Sequence, residues 1–173
     1  MKLGTGSILL LVLSWVLPAV SNADPYMEIS TGLVFVQTPA DTVYPPLLDL
    51  RIGIEQPGRQ FELALMSSLN DDRLNELSVE TPAIVSLLYH HIPQTRSSLK
   101  VHLIVGASWV DIESQYPVIG KRTDRFSGLS FGIGFEEHFP SNPRLKLSLD
   151  LMQLYLGDDL DVYSTTLGVH YEF

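Results

Sequence analysis

A chain of 173 residues with no cysteine, 11 basic and 20 acidic side chains and a net charge of −9 rules out several classes at once. It has no disulfide staples and no thiolate chemistry, and its acidity argues against a nucleic-acid partner. The length suits one domain.

Residues 1–23 read as a secretory signal peptide. Lys2 gives a basic start, and Ile8 to Leu17 is an apolar run interrupted only by Ser14. Pro18 breaks the run, and Ser21 and Ala23 place small residues where a signal peptidase cuts, so cleavage is expected after Ala23. The run is too short for a membrane-spanning helix. Residues 24–173 form the expected single domain. With Lys2 set aside it carries ten basic against twenty acidic residues. Nothing in it approaches a helix-spanning apolar run, so it can enter a membrane only as a closed barrel, because lipid cannot satisfy open strand edges.

Period-2 alternation predicts eight strands. The first, about Tyr26 to Val36, sets Met27, Ile29, Thr31, Leu33 and Phe35 on one face. The second, Pro46 to Gln56, alternates Leu48, Leu50, Ile52 and Ile54 with Asp49, Arg51 and Glu55. The third, Arg59 to Asn70, has Phe61, Leu63, Leu65 and Leu69 opposite Glu62, Met66 and Ser68. The fourth, Ser78 to His91, is less regular: Val79, Ala83, Val85, Leu87 and Tyr89 share a face, but Ile84 and Leu88 fall on the other. The fifth, Ser98 to Ile112, carries Leu99, Val101, Leu103, Val105, Ala107 and Trp109. The sixth, Arg125 to Phe139, carries Leu129, Phe131, Ile133, Phe135 and Phe139 opposite Ser130, Gly132, Gly134, Glu136 and His138. In the seventh, Leu145, Leu147, Leu149 and Leu151 alternate with Lys146, Ser148, Asp150 and Met152. The last, Asp161 to Phe173, alternates Tyr163, Thr165, Leu167, Val169, Tyr171 and Phe173 with Val162, Ser164, Thr166, Gly168, His170 and Glu172.

Three connections are short: Pro57-Gly58, Ile92 to Ser97 and Pro140 to Pro143. Those on the other side include the longer, polar Gln37 to Pro45, Asp71 to Leu77 and Glu113 to Asp124, with brief Gly157 to Leu160 completing the set. That asymmetry is the transmembrane-barrel pattern, with short turns in the periplasm. An even strand count then puts both termini there. The acidic loop residues Asp71, Asp72, Glu76, Asp111 and Glu113 read as solvated charge. The apolar parity flips between the second and third strands. A two-residue turn at Pro57-Gly58 therefore pairs Gln56 with Arg59, Ile54 with Phe61 and Ile52 with Leu63. Gln-Pro-Gly-Arg suits a type II turn.

A soluble barrel would turn the apolar face inward. An eight-stranded interior holds only a limited set of side chains, too few for roughly forty large apolar ones. The apolar face is therefore expected to meet lipid, and the polar face to fill the lumen. Aromatics near the strand ends support this. Phe35, Trp109, Tyr155 and Tyr163 form an expected outer girdle, and Phe61, Tyr89, Phe139, Tyr171 and Phe173 an inner one.

The hairpin "GLSFGIGFEEHFPSNPRLKLSLDL" and the ending "DVYSTTLGVHYEF" resemble the small eight-stranded bacterial outer-membrane β-barrels of the OmpA/OmpX-like superfamily. The resemblance covers the whole of residues 24–173. It implies an antiparallel up-and-down transmembrane barrel in the bacterial outer membrane. The implied partners are outer-membrane lipid and lipopolysaccharide, and the barrel-assembly machinery. Tyr171 and Phe173 would then belong to the assembly signal.

The expected role is non-enzymatic: envelope-structural, adhesive or narrow-pore. The alternative is a membrane-embedded hydrolase acting on lipopolysaccharide or phospholipid. Lipid A deacylases with eight strands use a His-x-Ser arrangement, but His138-Phe139-Pro140-Ser141 is one residue too long and lies at the expected periplasmic end. No catalytic residue is therefore assigned. His90, His102, His138 and His170, with Glu28 and Glu172, are expected as a lumen polar cluster whose members hydrogen-bond one another. The four histidines come from four strands with no ligand spacing, so no metal and no cofactor is expected. A turn near Ser141 would set Glu136 opposite Lys146 as a lumen ion pair, and the whole lumen is expected to be filled by polar side chains.

Overall fold

The structure, a computed structural model, describes residues 23–39, 42–74, 77–93, 97–116 and 120–173. Apart from Ala23, the expected signal segment lies outside the described residues, as does Glu76. Ten strands appear among the described residues. They are β1 (Asp24–Gln37), β2 (Thr42–Val43), β3 (Pro46–Gln56), β4 (Arg59–Ser68), β5 (Asp72–Leu74), β6 (Leu77–His91), β7 (Leu99–Tyr116), β8 (Gly120–Phe139), β9 (Asn142–Leu156) and β10 (Asp161–Glu172).

Eight of these strands form an antiparallel ring in the order β1-β3-β4-β6-β7-β8-β9-β10. It closes where β1 pairs β10, from Tyr26↔Glu172 to Gln37↔Asp161. Closure leaves no open edge, as a lipid environment requires. Asp24, Phe173 and the tight turns share one end of the barrel, the terminal end; the other is the loop end. Phe173 N donates to Pro25 O at 3.0 Å and ties the closing strand to β1 at the terminal end.

The first hairpin has the expected register, with Gln56↔Arg59, Ile54↔Phe61 and Ile52↔Leu63. Gly58 has a φ of 83°, the left-handed conformation that the third position of a type II turn demands.

Three local expectations are corrected. The segment Glu113 to Asp124 is not a free loop. β7 and β8 stay paired out to Tyr116↔Gly120, and β6 accompanies β7 as far as Ser78↔Gln115, so the hairpin projects with β6 along its side. Cross-strand charge helps hold it: Arg125 Nε donates to Asp111 Oδ1 at 2.7 Å, and Lys121 pairs with Glu113. Second, the pairing of β6 with β7 shifts between Glu80 and Ala83. Such a bulge inverts the side-chain parity. Val79 and Thr81 are therefore buried, and Glu80 between them points away from the lumen. Third, the Gln37 to Pro45 connection folds back through β2, which pairs Val36 with Val43 and buries Val43.

The outer surface is apolar. Ile29, Ile52, Leu65, Leu87, Leu103, Leu129, Phe131, Leu151 and Leu167 are all exposed, Leu129 at 68%. A continuous belt of that kind is what lipid covers, and a water-soluble surface avoids it. Arg51, Glu136 and Lys146 are buried inside while large apolar side chains cover the outside, the reverse of what a soluble barrel would build.

The interior is not polar throughout, which corrects the expected all-polar lumen. Its loop half is a hydrophobic core. Val34, Val36, Val43, Leu47, Ala64, Met66, Val79, Ile84, Leu88, Ile104, Val110, Ile112, Met152, Leu154 and Val162 form one buried cluster. One polar seam crosses that half. Ser86, Ser108 and Ser130 are linked at 2.6 Å each across β6, β7 and β8. Ser130 Oγ donates to Leu154 O at 3.2 Å, so the chain of hydroxyls has one direction, from Ser86 towards β9.

Candidate functional site

The terminal half of the interior concentrates the charged groups. Alternation points Glu28 inward from β1, Asp49, Arg51 and Glu55 from β3, and Glu62 from β4. Glu136 comes from β8, Lys146 and Asp150 from β9, and His170 and Glu172 from β10. Space for them depends on small neighbours. A Cβ on Gly134 would collide with the Asp150 carboxylate, and one on Gly168 with the Ser30 hydroxyl.

Arg51 sits at the centre of the first layer. Its Nε donates to Asp49 Oδ2 at 2.6 Å, and its Nη2 to Thr166 Oγ1 at 3.1 Å. Its Nη1 pairs with Asp150, lies 3.4 Å from Glu62 Oε1 and 3.8 Å from Glu28 Oε1. The guanidinium thus joins β3 to β1, β4, β9 and β10. A planar, always-charged fork is the side chain suited to this many carboxylates. Tyr26 completes the layer, donating to Glu62 Oε2 at 2.8 Å.

Lys146 forms the second layer, nearer the terminal end. Its Nζ lies 2.7 Å from Glu55 Oε2, 2.7 Å from Glu136 Oε1 and 2.5 Å from Glu172 Oε1. Glu136 and Lys146 therefore meet, but not as direct opposites. The hairpin shifts register between His138 and Phe139, so Glu136 pairs with Ser148 and His138 with Lys146 along the backbone. The contact is diagonal, and Glu136 is one of three carboxylates sharing the ammonium. Gln60 Nε2 donates to Glu55 Oε2 at 2.8 Å beside them.

The histidines divide. His90 and His102 are buried with their Nδ1 atoms 3.4 Å apart. His90 Nε2 is 3.5 Å from Glu62 and His102 Nε2 3.6 Å from Glu136. His170 is also buried, stacked on Tyr26 with ring centroids 4.1 Å apart. His138 keeps the lumen-side register, paired with Lys146, but stands apart from the other three, exposed on the wall of the terminal mouth. Its Nδ1 meets Pro143 O at 3.0 Å in the adjoining turn. Ser141 is exposed in the same turn.

At the terminal end the lumen opens into a cavity of about 380 Å³ whose walls include Asp24, Glu55, Lys100, Glu136 and Glu172. Glu55 and Glu172 are the partly accessible members of the Lys146 layer. Within the mouth, ligand atoms of Glu55, His170 and Glu172 lie within 4.8 Å of one another.

The aromatics expected as girdles mostly flank the apolar belt. Phe61 and Tyr89 pack at 5.2 Å, and Tyr171 and Phe173 at 5.5 Å, at the terminal end, where Phe139 also lies exposed. Trp109 is exposed near the loop end, and Phe35 packs edge-on against Tyr44 at 5.3 Å. Tyr163 is half-buried between inward Val162 and Ser164. Tyr155 departs from the expected lipid-facing position. The register shift between Val162 and Tyr163 pairs Tyr155 with inward Val162. Tyr155 accordingly packs on Phe126, 5.3 Å away, against the loop-half core.

Sequence reasoning missed Arg51 as a hub, and missed the Glu55 and Glu172 contacts of Lys146. The available signal was compositional: three inward cations, Arg51, Lys100 and Lys146, among seven inward carboxylates must be shared.

No protein-family model matches the chain, and no curated protein matches it. Solved structures with the same fold do exist. Neisserial surface protein A superposes with a TM-score of 0.68 at 11% identity, over 86% of this chain and 97% of its own. Ail, the attachment invasion locus protein of Yersinia pestis, gives 0.66 at 13% identity, over 88% and 99%. The outer membrane protein AlkL gives 0.53 at 14% identity, over 88% and 90%. The chain therefore has the fold of the small outer-membrane β-barrels.

Proposed function

We propose that this chain spans the bacterial outer membrane as a sealed, non-enzymatic barrel that holds the β7–β8 hairpin outside the cell. The observation that carries this reading is the doubly closed interior. An apolar core fills the loop half, and ion-paired layers around Arg51 and Lys146 fill the terminal half. Eight strands leave little room to begin with. Of the three roles expected from the sequence, the narrow pore is the one this packing disfavours. The projecting hairpin favours a surface role, adhesive or structural. Two barrels of the same fold bear names in keeping with surface display: a surface protein and an attachment invasion locus protein. The hydrolase alternative finds no support, since His138 spends Nδ1 on a turn carbonyl and Ser141 sits in the same exposed turn at the terminal end.

The test has two arms. The purified barrel in planar lipid should show no large, steady single-channel conductance; such a conductance would defeat the sealed reading. An epitope inserted at Gly120, at the hairpin tip, should be labelled on intact cells, and labelling only after lysis would reverse the proposed orientation with periplasmic termini.

The assembly role of Tyr171 and Phe173 belongs to the same proposal. Phe173 is exposed on the closing strand and packs against Tyr171. Phe173→Ala should lower the folded, heat-modifiable band on an unboiled gel of outer membranes. Unchanged folded yield would argue against an assembly signal there.

A further inference from the structure

The Lys146 layer does not balance its charge. Glu55, Glu136 and Glu172 bring three negative charges to the ammonium they share, and Lys100 on the wall of the same cavity adds one more positive charge, so negative charge is still in excess. Excess charge at a partly buried mouth is costly unless something offsets it. A bound cation would offset it.

We propose that Glu55, His170 and Glu172 form a divalent transition-metal site at the terminal mouth of the lumen. Their ligand atoms already converge to within 4.8 Å. An acidic cluster alone would not suffice, since carboxylates gather without metals. His170 supplies the independent observation. It is 1% exposed, and its Nε2 has no hydrogen-bond partner. That nitrogen points toward the carboxylates, 3.8 Å from Glu55 Oε2.

The surroundings match those of a ligating imidazole. His170 Nδ1 faces Glu28 Oε2 at 3.7 Å, on the side away from the proposed ion. A carboxylate there keeps the proton on Nδ1 and leaves the Nε2 lone pair for the metal. Glu28 is itself held, its Oε1 accepting from Ser30 at 2.6 Å and Ser148 at 2.8 Å. Stacking on Tyr26, with planes 19° apart, fixes the ring. Glu55 and Glu172 both line the terminal cavity, which gives an ion and its waters a way in. One imidazole and two carboxylates form a mixed nitrogen and oxygen set, which suits zinc-like ions better than calcium. Lys146 Nζ holds Glu55 Oε2 and Glu172 Oε1 as well as Glu136, so the ion must draw both ligand carboxylates from the ammonium, which limits the affinity.

The experiment uses the folded barrel in detergent micelles, without a histidine tag and stripped with a chelator. Titration calorimetry with ZnCl2 at neutral pH should show one saturable equivalent, with Ca2+ binding at least tenfold weaker. Glu172→Gln and His170→Gln should each weaken Zn2+ binding at least tenfold. His91→Ala, exposed on β6 and not part of the cavity wall, should leave it unchanged. Glu172 is partly exposed beside the chain end, so its variant keeps the test valid even if the buried His170 variant fails to fold. Absence of stoichiometric Zn2+ binding by the unaltered chain would overturn the site. So would equal binding of Ca2+, retention of affinity in Glu172→Gln, or its loss in His91→Ala.

Discussion

The two halves of the lumen are built on different physics. In the loop half, Val34, Leu47, Val110, Leu154 and Val162 are completely buried among apolar neighbours. Apolar packing is non-directional, so volume matters there and exact identity matters less. In the terminal half, equally buried side chains are charged, and each depends on named partners: Arg51 on Asp49, Glu62 and Asp150, Lys146 on Glu55, Glu136 and Glu172. Removing one partner there strands the others. The lesson is that an occluded barrel can be sealed twice, once by burial and once by charge, with opposite tolerance to substitution.

Arg51→Met tests the contrast most severely. It keeps much of the volume but leaves Asp49, Glu62 and Asp150 without their cation, beside Glu28. Breaking a buried pair costs about 3–5 kcal/mol, and this substitution should reach at least that range. Urea unfolding in lipid vesicles measures it; a loss below about 1 kcal/mol would show that water already solvates the layer.

Lys146→Ala should cost somewhat less, towards the lower end of about 3–5 kcal/mol, because the terminal cavity admits water beside it. Adding Glu136→Ala should restore only part of the loss, since Glu55 and Glu172 stay uncompensated. A double-mutant cycle decides this. Additive losses would mean that Glu136 and Lys146 do not interact energetically, and complete recovery would mean that Glu136 is the sole energetic partner.

The smallest effect is expected in the loop half. Leu154→Met preserves volume in the apolar core and should cost under about 1.5 kcal/mol. Leu154→Ala, which empties the same site, should cost about 2–5 kcal/mol. If the methionine variant proves as damaging as Arg51→Met, the two halves do not differ in tolerance.

Much of this is legible in the sequence. Ile54↔Phe61 and Ile52↔Leu63 follow from parity and one Pro-Gly turn. The shift at Glu80/Ala83 was foreshadowed by Ile84 and Leu88 on the wrong face, but two such residues do not locate a bulge. The β7–β8 projection was hidden because Glu113 to Asp124 is polar, and polar residues suit a solvated strand as well as a loop. The apolar core was missed for a related reason. Alternation registers contrast between two faces. An apolar side chain is stable both against lipid and inside packed protein, so Val34, Val110 and Val162 lowered the contrast without revealing where they pack.

The sequence by itself determined the architecture: eight alternating strands, an apolar exterior, and charges that had nowhere to go but inward. Those features depend on the identity of each residue and its neighbours along the chain, because period-2 geometry assigns the faces locally. Tertiary structure alone decided which inward groups meet. Arg51 reaches Asp150 across 99 residues of sequence, and Lys146 reaches Glu55 across 91. Such contacts depend on strand stagger around a closed ring, and a single register shift, as between Val162 and Tyr163, moves Tyr155 from the lipid face to the core. No local pattern encodes that stagger, since it is set only when the last strand finds the first.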